Sequence, residues 1–117
     1  MEFQILDKIE QLNEIDLKSN SKIQAIYKHS TQCGISMMTN RTLNKELKEI
    51  SVNTLDVYYL DLIRYRDLSN TISVRYDVEH ESPQILFIKE GKCIYYASHS
   101  DVSLDKAFQA INHMGVN

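Results

Sequence analysis

The 117-residue sequence is poor in several residue types, and each scarcity restricts what the protein can do. It has no tryptophan, a single proline, Pro83, and only two cysteines, Cys33 and Cys93. The position two steps beyond Gly34 is Ser36, so a C-x-x-C pair is excluded and any disulfide chemistry at this point must use one thiol.

The chain also lacks long apolar runs and an excess of basic residues. No stretch approaches the length needed to span a bilayer, and the first four residues lack the features of a signal peptide. A net charge of −3 without a basic cluster argues against binding to nucleic acid. We therefore expect a cytoplasmic protein with free thiols, built as one domain over residues 1–117, with neither nucleic acid nor membrane as a partner.

The order of apolar patterns predicts an α/β fold. Helical spacing and strand-like runs alternate, and Glu90-Gly91 marks a compact hairpin near the end. Helices are predicted at about 6–15, from just after Cys33 to about 50, at 65–76 and at 104–111, with strands at 23–28, 56–60, 84–89 and 92–97 and a short optional strand at 2–5. Such an order predicts a thioredoxin-like fold, a mixed four- to five-stranded sheet with helices on both faces.

Cys33 ends a polar turn and opens a predicted helix. Unpaired backbone N–H groups and the positive end of the helix dipole favour a thiolate there, and Lys28 and His29 add positive potential if they face the sulfur. Gly34 leaves room for a bulky disulfide, and Ser36 is placed to donate a hydrogen bond to the thiolate or to satisfy a backbone group. Cys33 is thus the predicted nucleophile; the alternative is a small buried core residue.

Pro83 precedes the most apolar strand of the chain. A cis Ser82–Pro83 bond would fit a tight turn before a central strand and would turn the backbone N–H and C=O of Ser82 outward, where an extended substrate could pair with them. The alternative is an ordinary trans proline at the start of a strand.

The strand at 92–97 returns towards the same end of the sheet. His99, Ser100 and Asp101, with the start of the last helix, are therefore candidates for holding a small thiol cosubstrate with help from the helix dipole; the alternative is that they only cap this helix, with Ser103 as N-cap. Cys93, just past the hairpin turn, is expected at the opposite end, too far for a disulfide with Cys33.

Four segments together resemble a known family. They are 28–36 (KHSTQCGIS), 56–61 (DVYYLD), 80–84 (HESPQ) and 97–101 (ASHSD), and the resemblance that they carry extends over nearly the whole chain in the right order. The chain is similar here to the YtxJ-like monothiol bacilliredoxins, although family members commonly have proline at the position of Gly34 and often an aromatic residue at that of Ser100. The resemblance implies a cytosolic protein of low-GC Gram-positive or related bacteria, with Cys33 as the active cysteine and bacillithiol as cosubstrate. Thr31, in the turn before Cys33, is grouped with Gly34 and Ser36 as a candidate to support the thiolate.

The leading hypothesis is a monothiol disulfide reductase that removes bacillithiol from client proteins through Cys33. Its partners would be bacillithiolated proteins, a low-molecular-weight thiol and another redoxin for recycling, and no resident cofactor is expected. Two alternatives stay open: a noncatalytic redox-sensing adaptor, and an iron–sulfur carrier, because 33–36 (CGIS) is similar to the C-G-F-S signature of monothiol glutaredoxins. No C-x-x-C or H-x-x-x-H spacing supports a zinc site, so no metal ligands are predicted.

Overall fold

The computed structural model describes residues 2–30, 34–50 and 54–115. Within these residues, five strands and four α-helices follow one another, with a short 3-10 turn before the last helix. They are β1 (Gln4–Ile5), α1 (Gln11–Lys18), β2 (Ile23–His29), α2 (Gly34–Glu49), β3 (Leu55–Asp61), α3 (Arg66–Tyr76), β4 (Gln84–Lys89), β5 (Lys92–Ser98), the 3-10 turn His99–Asp101 and α4 (Leu104–His113). Across the described ranges, no helix is long and apolar enough to cross a membrane.

The strands form one mixed sheet in the order β1-β3-β2-β4-β5. β1 and β2 run parallel to β3, whereas β4 lies antiparallel to both β2 and β5. Parallel neighbours need a crossover, which α2 supplies between β2 and β3. The hairpin between β4 and β5 turns at Glu90 and Gly91, both with positive φ, as a tight primed turn requires. The predicted mixed α/β sheet is confirmed, with five strands.

A separate apolar core lies on each face of the sheet. One joins the sheet to α2 and α4, and its helical members include Leu43, Leu47, Leu104, Ala107 and Ile111. The other joins the sheet to α1 and α3, with Leu12, Ile15, Leu68, Ile72 and Tyr76 as helical members. Alternate residues of β2 divide between them, since Ala25 and Tyr27 belong to the first and Ile26 to the second. The predicted placement of helices on both faces is therefore confirmed.

The first helix is the element whose predicted bounds were wrong. The sequence pattern placed it over 6–15, but it begins at Gln11 and ends at Lys18. Leu6 directly follows β1: its backbone N–H donates to the carbonyl of Tyr59 at 2.8 Å, and its side chain is buried in the core on the α1 and α3 face. Ile9 is 52% exposed, so its helical spacing was coincidental. The apolar spacing that suggested a helix start thus combined two residues that precede the helix, Leu6 and Ile9, with residues of the helix itself.

Candidate active site

The polar end of the sheet, where β2 finishes and β4 begins, brings the predicted site elements together. Lys28 of β2 lies opposite Gln84, the residue after Pro83, and α2 begins at Gly34 a few residues beyond His29. Cys33 and Thr31 lie outside the described residues, as does the side chain of Ser36. Their predicted roles therefore remain predictions, attached to a helix start that the structure places at this end of the fold.

The turn before β4 has the predicted cis Ser82–Pro83 bond. Pro83 is buried, and its carbonyl accepts a hydrogen bond from the backbone N–H of His99 at 2.8 Å. Within the described part of the chain, neither backbone group of Ser82 takes part in a hydrogen bond. This turn therefore offers a free backbone donor and acceptor at the end of the sheet where β2 finishes.

The 3-10 turn lies beside Pro83 through that same His99 bond. His99 adopts a left-handed backbone with φ 58°, an uncommon conformation for a residue other than glycine. His99, Ser100 and Asp101 are all exposed, and Asp101 makes only a long, exposed ion pair of 3.8 Å with Lys106. The predicted cosubstrate residues are thus accessible and adjacent to Pro83.

The first turn of α4 does not contribute in the predicted way, because an internal carboxylate already occupies it. The buried Glu46 accepts hydrogen bonds from the N–H groups of Leu104 at 2.8 Å and Asp105 at 3.0 Å, and from the Ser103 hydroxyl at 2.7 Å. Ser103 is the N-cap as predicted, accepting from the Lys106 N–H. The expectation that the dipole of this helix would help to bind a cosubstrate is corrected: its donors hold Glu46.

The position of Glu46 also fixes where α4 begins. Glu46 lies twelve residues after Gly34 in α2, which is about 18 Å along the axis of a helix. The start of α4 therefore packs against the late part of α2 rather than beside its first turn. The sequence predicted that the turn at His99 and the start of α4 would both contribute to the site. The exposed turn at His99 lies near Pro83, but the start of α4 does not lie near the beginning of α2.

Lys28 corrects a second expectation, since its side chain is fully buried on the α3 face, away from α2. Its Nζ donates to the carbonyl of Ser69 at 3.1 Å, to the Ser73 hydroxyl at 3.2 Å and to Nδ1 of His80 at 3.4 Å. Burial lowers the pKa of Lys28 to about 8. The sequence analysis did not predict this cluster. The pattern that could have indicated it is the alternation along β2, which puts Lys28 on the same buried face of the strand as Ile26.

His29 lies on the same face as α2. Its Nδ1 is 2.6 Å from the hydroxyl of Tyr59, and its ring packs against those of Tyr27 and Tyr59. The sequence suggested that Lys28 and His29 could both add positive potential at the sulfur of Cys33. Of these two residues, His29 is the one on the face of the sheet that carries the start of α2.

Cys93 is a residue of β5, as predicted, and lies opposite Ile88. Five positions of β4 separate Ile88 from Pro83, which is about 17 Å of strand. Burial raises the pKa of the Cys93 thiol, whose sulfur donates to the carbonyl of Tyr95 at 3.4 Å. A partly buried, protonated thiol at this end of the sheet is a poor nucleophile.

In the ranges that the structure describes, no group of three or more His, Cys, Asp or Glu residues could hold a metal ion.

Comparisons with known proteins agree with this architecture. The sequence profile of the family described as monothiol bacilliredoxin BrxC matches residues 4–107. A solved structure described as a candidate oxidoreductase with a thioredoxin fold is 32% identical with a TM-score of 0.77, covering 92% of this chain and 91% of that one.

Two thioredoxins share the fold at lower identity. The thioredoxin of Malassezia sympodialis is 18% identical with a TM-score of 0.75, over 96% of this chain and 90% of its own. The thioredoxin of Fasciola hepatica is 16% identical with a TM-score of 0.71, over 95% of this chain and 98% of its own.

Proposed function

The chain belongs to the monothiol bacilliredoxin BrxC family, with a thioredoxin fold, and we propose that it removes bacillithiol from mixed disulfides on client proteins through Cys33. The observation that carries the proposal is the Ser82–Pro83 turn, because the backbone groups of Ser82 are free of hydrogen bonds to any described residue and lie at the end of the sheet where α2 begins. An extended client segment could pair with Ser82 there, as strands add to an exposed backbone edge.

The chemistry is two successive thiol–disulfide exchanges. The Cys33 thiolate attacks the bacillithiol sulfur of the mixed disulfide, a new S–S bond forms as the old one breaks, and the electron pair leaves on the client sulfur, which takes up a proton. A second bacillithiol thiolate, or the thiolate of a partner redoxin, then attacks the bacillithiol sulfur held on Cys33. Cys33 is released as a thiolate, and the attacking thiol carries away the bacillithiol as a disulfide.

Two surfaces support binding of the substrate. His99, Ser100 and Asp101 are exposed beside Pro83 and offer polar contacts to the small thiol. Met37 and Met38, in the first turns of α2, are 56% and 70% exposed and give the client protein an adaptable apolar surface. We place the reaction in the cytoplasm, with bacillithiolated proteins and a recycling redoxin as partners and without a resident cofactor.

Intact-protein mass spectrometry tests the proposal directly. The reduced protein is mixed with a bacillithiol-capped model protein and then with excess bacillithiol. The expected result is release of the model protein, appearance of a bacillithiol adduct on Cys33 and loss of that adduct in the second step. Cys33→Ala abolishes transfer, and the matched control Cys93→Ala retains it.

Other outcomes would overturn the proposal in distinct ways. An adduct that forms on Cys33 but is never cleared, with altered partner binding, identifies a redox-sensing adaptor. A coloured, dimeric protein as purified identifies an iron–sulfur carrier. Loss of transfer in Cys93→Ala as severe as in Cys33→Ala would show that Cys93 takes part in the exchange.

A further inference from the structure

The side chain of Lys28 is the most deeply buried cation of the described residues, at 0% exposure. Its three N–H donors match three acceptors, from Ser69, Ser73 and His80. Among residues 2–30, 34–50 and 54–115, no carboxylate forms an ion pair with it. A buried charge that is hydrogen-bonded but not neutralised costs stability compared with an apolar residue of similar volume.

The α3 helix does not offset this cost. The ammonium lies between Ser69 and Ser73, the fourth and eighth of the eleven residues of α3, so it is beside the middle of the helix and away from the carboxyl-terminal end, where the dipole would favour a cation. Arg66, in the first turn of the same helix, adds a second positive charge close to His80. Stability therefore does not explain why a lysine occupies this site.

The contacts of Lys28 lead to the turn that binds substrate in the proposed function. His80 lies two residues before Ser82, and its Nδ1 receives both the Lys28 ammonium at 3.4 Å and the Ser69 hydroxyl at 3.2 Å. On the other side of the turn, the fully buried Gln84 lies opposite Lys28 and donates to the carbonyl of Glu79 at 2.9 Å. Both ends of the segment 79–84 are thus fixed to the core by buried polar groups.

We propose that Lys28 is a positioning residue: its buried ammonium holds neutral His80, and through it the Ser82–Pro83 turn, in the conformation that receives the client disulfide. This inference rests on the proposed function. Lys28 acts through His80 and does not contact the reacting sulfur atoms.

The arrangement requires His80 to carry its proton on Nε2, because Nδ1 accepts from Lys28. Protonation of Nδ1 would replace this hydrogen bond by repulsion between two cations 3.4 Å apart. The charged groups around His80 are Lys28 on β2, Arg66 on α3 and Glu81 in the turn itself. Burial lowers the pKa of His80 most, the positive charges of Lys28 and Arg66 lower it further, and the negative charge of Glu81 opposes this shift. The turn should therefore loosen as the pH falls below the ordinary histidine range, about 6.5.

Steady-state kinetics with a bacillithiol-capped client test the proposal. Lys28→Met should raise KM about fivefold with little change in kcat, because a charged hydrogen bond that orders the turn is lost while the chemistry at Cys33 is intact. The exposed Lys18→Met, at the end of α1, is the matched control and should leave both constants unchanged. An unchanged KM in Lys28→Met would overturn the proposal.

The pH profile distinguishes positioning from a general effect on folding. KM of the wild type should rise as the pH falls below the ordinary histidine pKa, whereas His80→Asn, whose Oδ1 accepts at the place of Nδ1 but does not titrate, should show a flat profile. This variant also decides the question if Lys28→Met does not fold. An acid rise in KM that persists in His80→Asn would overturn the role of His80.

A measurement without turnover separates this inference from the proposed function. The NMR titration of the His80 ring should give a higher pKa in Lys28→Met than in the wild type, with amide shifts that extend from the substituted site and α3 into residues 79–84. If the wild type fails to transfer bacillithiol but these shifts occur, the proposed function fails and the coupling stands. Unchanged His80 titration and unchanged amides would overturn the coupling, whatever the activity.

Discussion

Among the described residues, each face of the sheet buries one Asp, Glu, Lys or Arg side chain, and the two differ in whether a helix end stabilises the charge. On the α2 and α4 face, Glu46 lies at the amino-terminal end of a helix, where backbone N–H groups and the dipole favour an anion. On the α1 and α3 face, Lys28 lies beside the middle of a helix, away from the carboxyl-terminal end where the dipole would favour a cation. The first arrangement stabilises the fold, whereas the second maintains a turn at the expense of stability.

Removal of Glu46 should have the largest effect on stability. Glu46→Ala leaves the N–H groups of Leu104 and Asp105 without their acceptor and should lower the free energy of unfolding by about 3 kcal/mol. Urea denaturation followed by circular dichroism measures the loss. The exposed Glu49→Ala on the same helix is the control, with a change within about 0.5 kcal/mol. Equal losses for the two variants would remove the contrast between the faces.

Lys28→Met should change stability in the opposite direction. Its acceptors keep other partners, since the Ser69 carbonyl still receives the Ser73 hydroxyl and His80 still receives that of Ser69. We expect a gain of about 1 to 2 kcal/mol at pH 7. A loss as large as that of Glu46→Ala would show that Lys28, too, is primarily structural.

The same variant should change how stability depends on alkaline pH. Burial lowers the pKa of Lys28 from 10.5 to about 8, so between these values the unfolded chain binds more protons and stability rises with pH. Tyr27, whose pKa burial raises to about 12, acts with the opposite sign above pH 10. The difference in free energy of unfolding between the wild type and Lys28→Met, measured at a series of pH values, isolates the contribution of Lys28. A difference that does not change from pH 8 to 10 would contradict the lowered pKa of Lys28.

Ser103→Ala should have a smaller effect on the α4 side. The N-cap bond to Lys106 and the hydroxyl bond to Glu46 are both lost, but Glu46 keeps its two backbone donors. The expected loss is about 1 kcal/mol, measured by the same denaturation. If the loss matched that of Glu46→Ala, the hydroxyl rather than the backbone donors would hold the carboxylate.

The smallest effect is expected for an ion pair that lies on the surface near the site. Lys106→Ala removes the 3.8 Å pair with Asp101, in which both side chains are more than half exposed, and should change stability by less than about 0.5 kcal/mol. A larger loss would show that the 3-10 turn depends on this pair rather than on the bond between His99 and Pro83.

The sequence predicted the elements better than the contacts between them. Strand and helix periodicity located β2 to β5 and α2 to α4 within a residue or two, and the isolated proline before an apolar strand indicated the cis bond that the structure contains. Both predictions depend on residues that are close to one another in the sequence. The predicted start of α1 was wrong because the backbone of Leu6 bonds to β3, a long-range contact that periodicity does not show.

The roles of Glu46 and Lys28 could not be predicted for a related reason. Glu46 has the appearance of one more charged residue on an amphipathic helix, and its three donors come from a segment more than fifty positions later. Lys28 was considered only for its charge near Cys33, because the face to which a strand residue points depends on the register of the whole sheet. The chemistry predicted for Cys33, in contrast, needs only a thiol at a helix start.

The complete burial of Lys28 makes it a chemical reporter of its own surroundings. Acylating reagents modify neutral amines, and an amine with a pKa of about 8 would be among the more reactive lysines at neutral pH if the reagent could reach it. With 0% exposure it is shielded while α3 is packed on the sheet. Labelling of Lys28, read peptide by peptide, would therefore record how often α3 and the His80 segment open in the native protein.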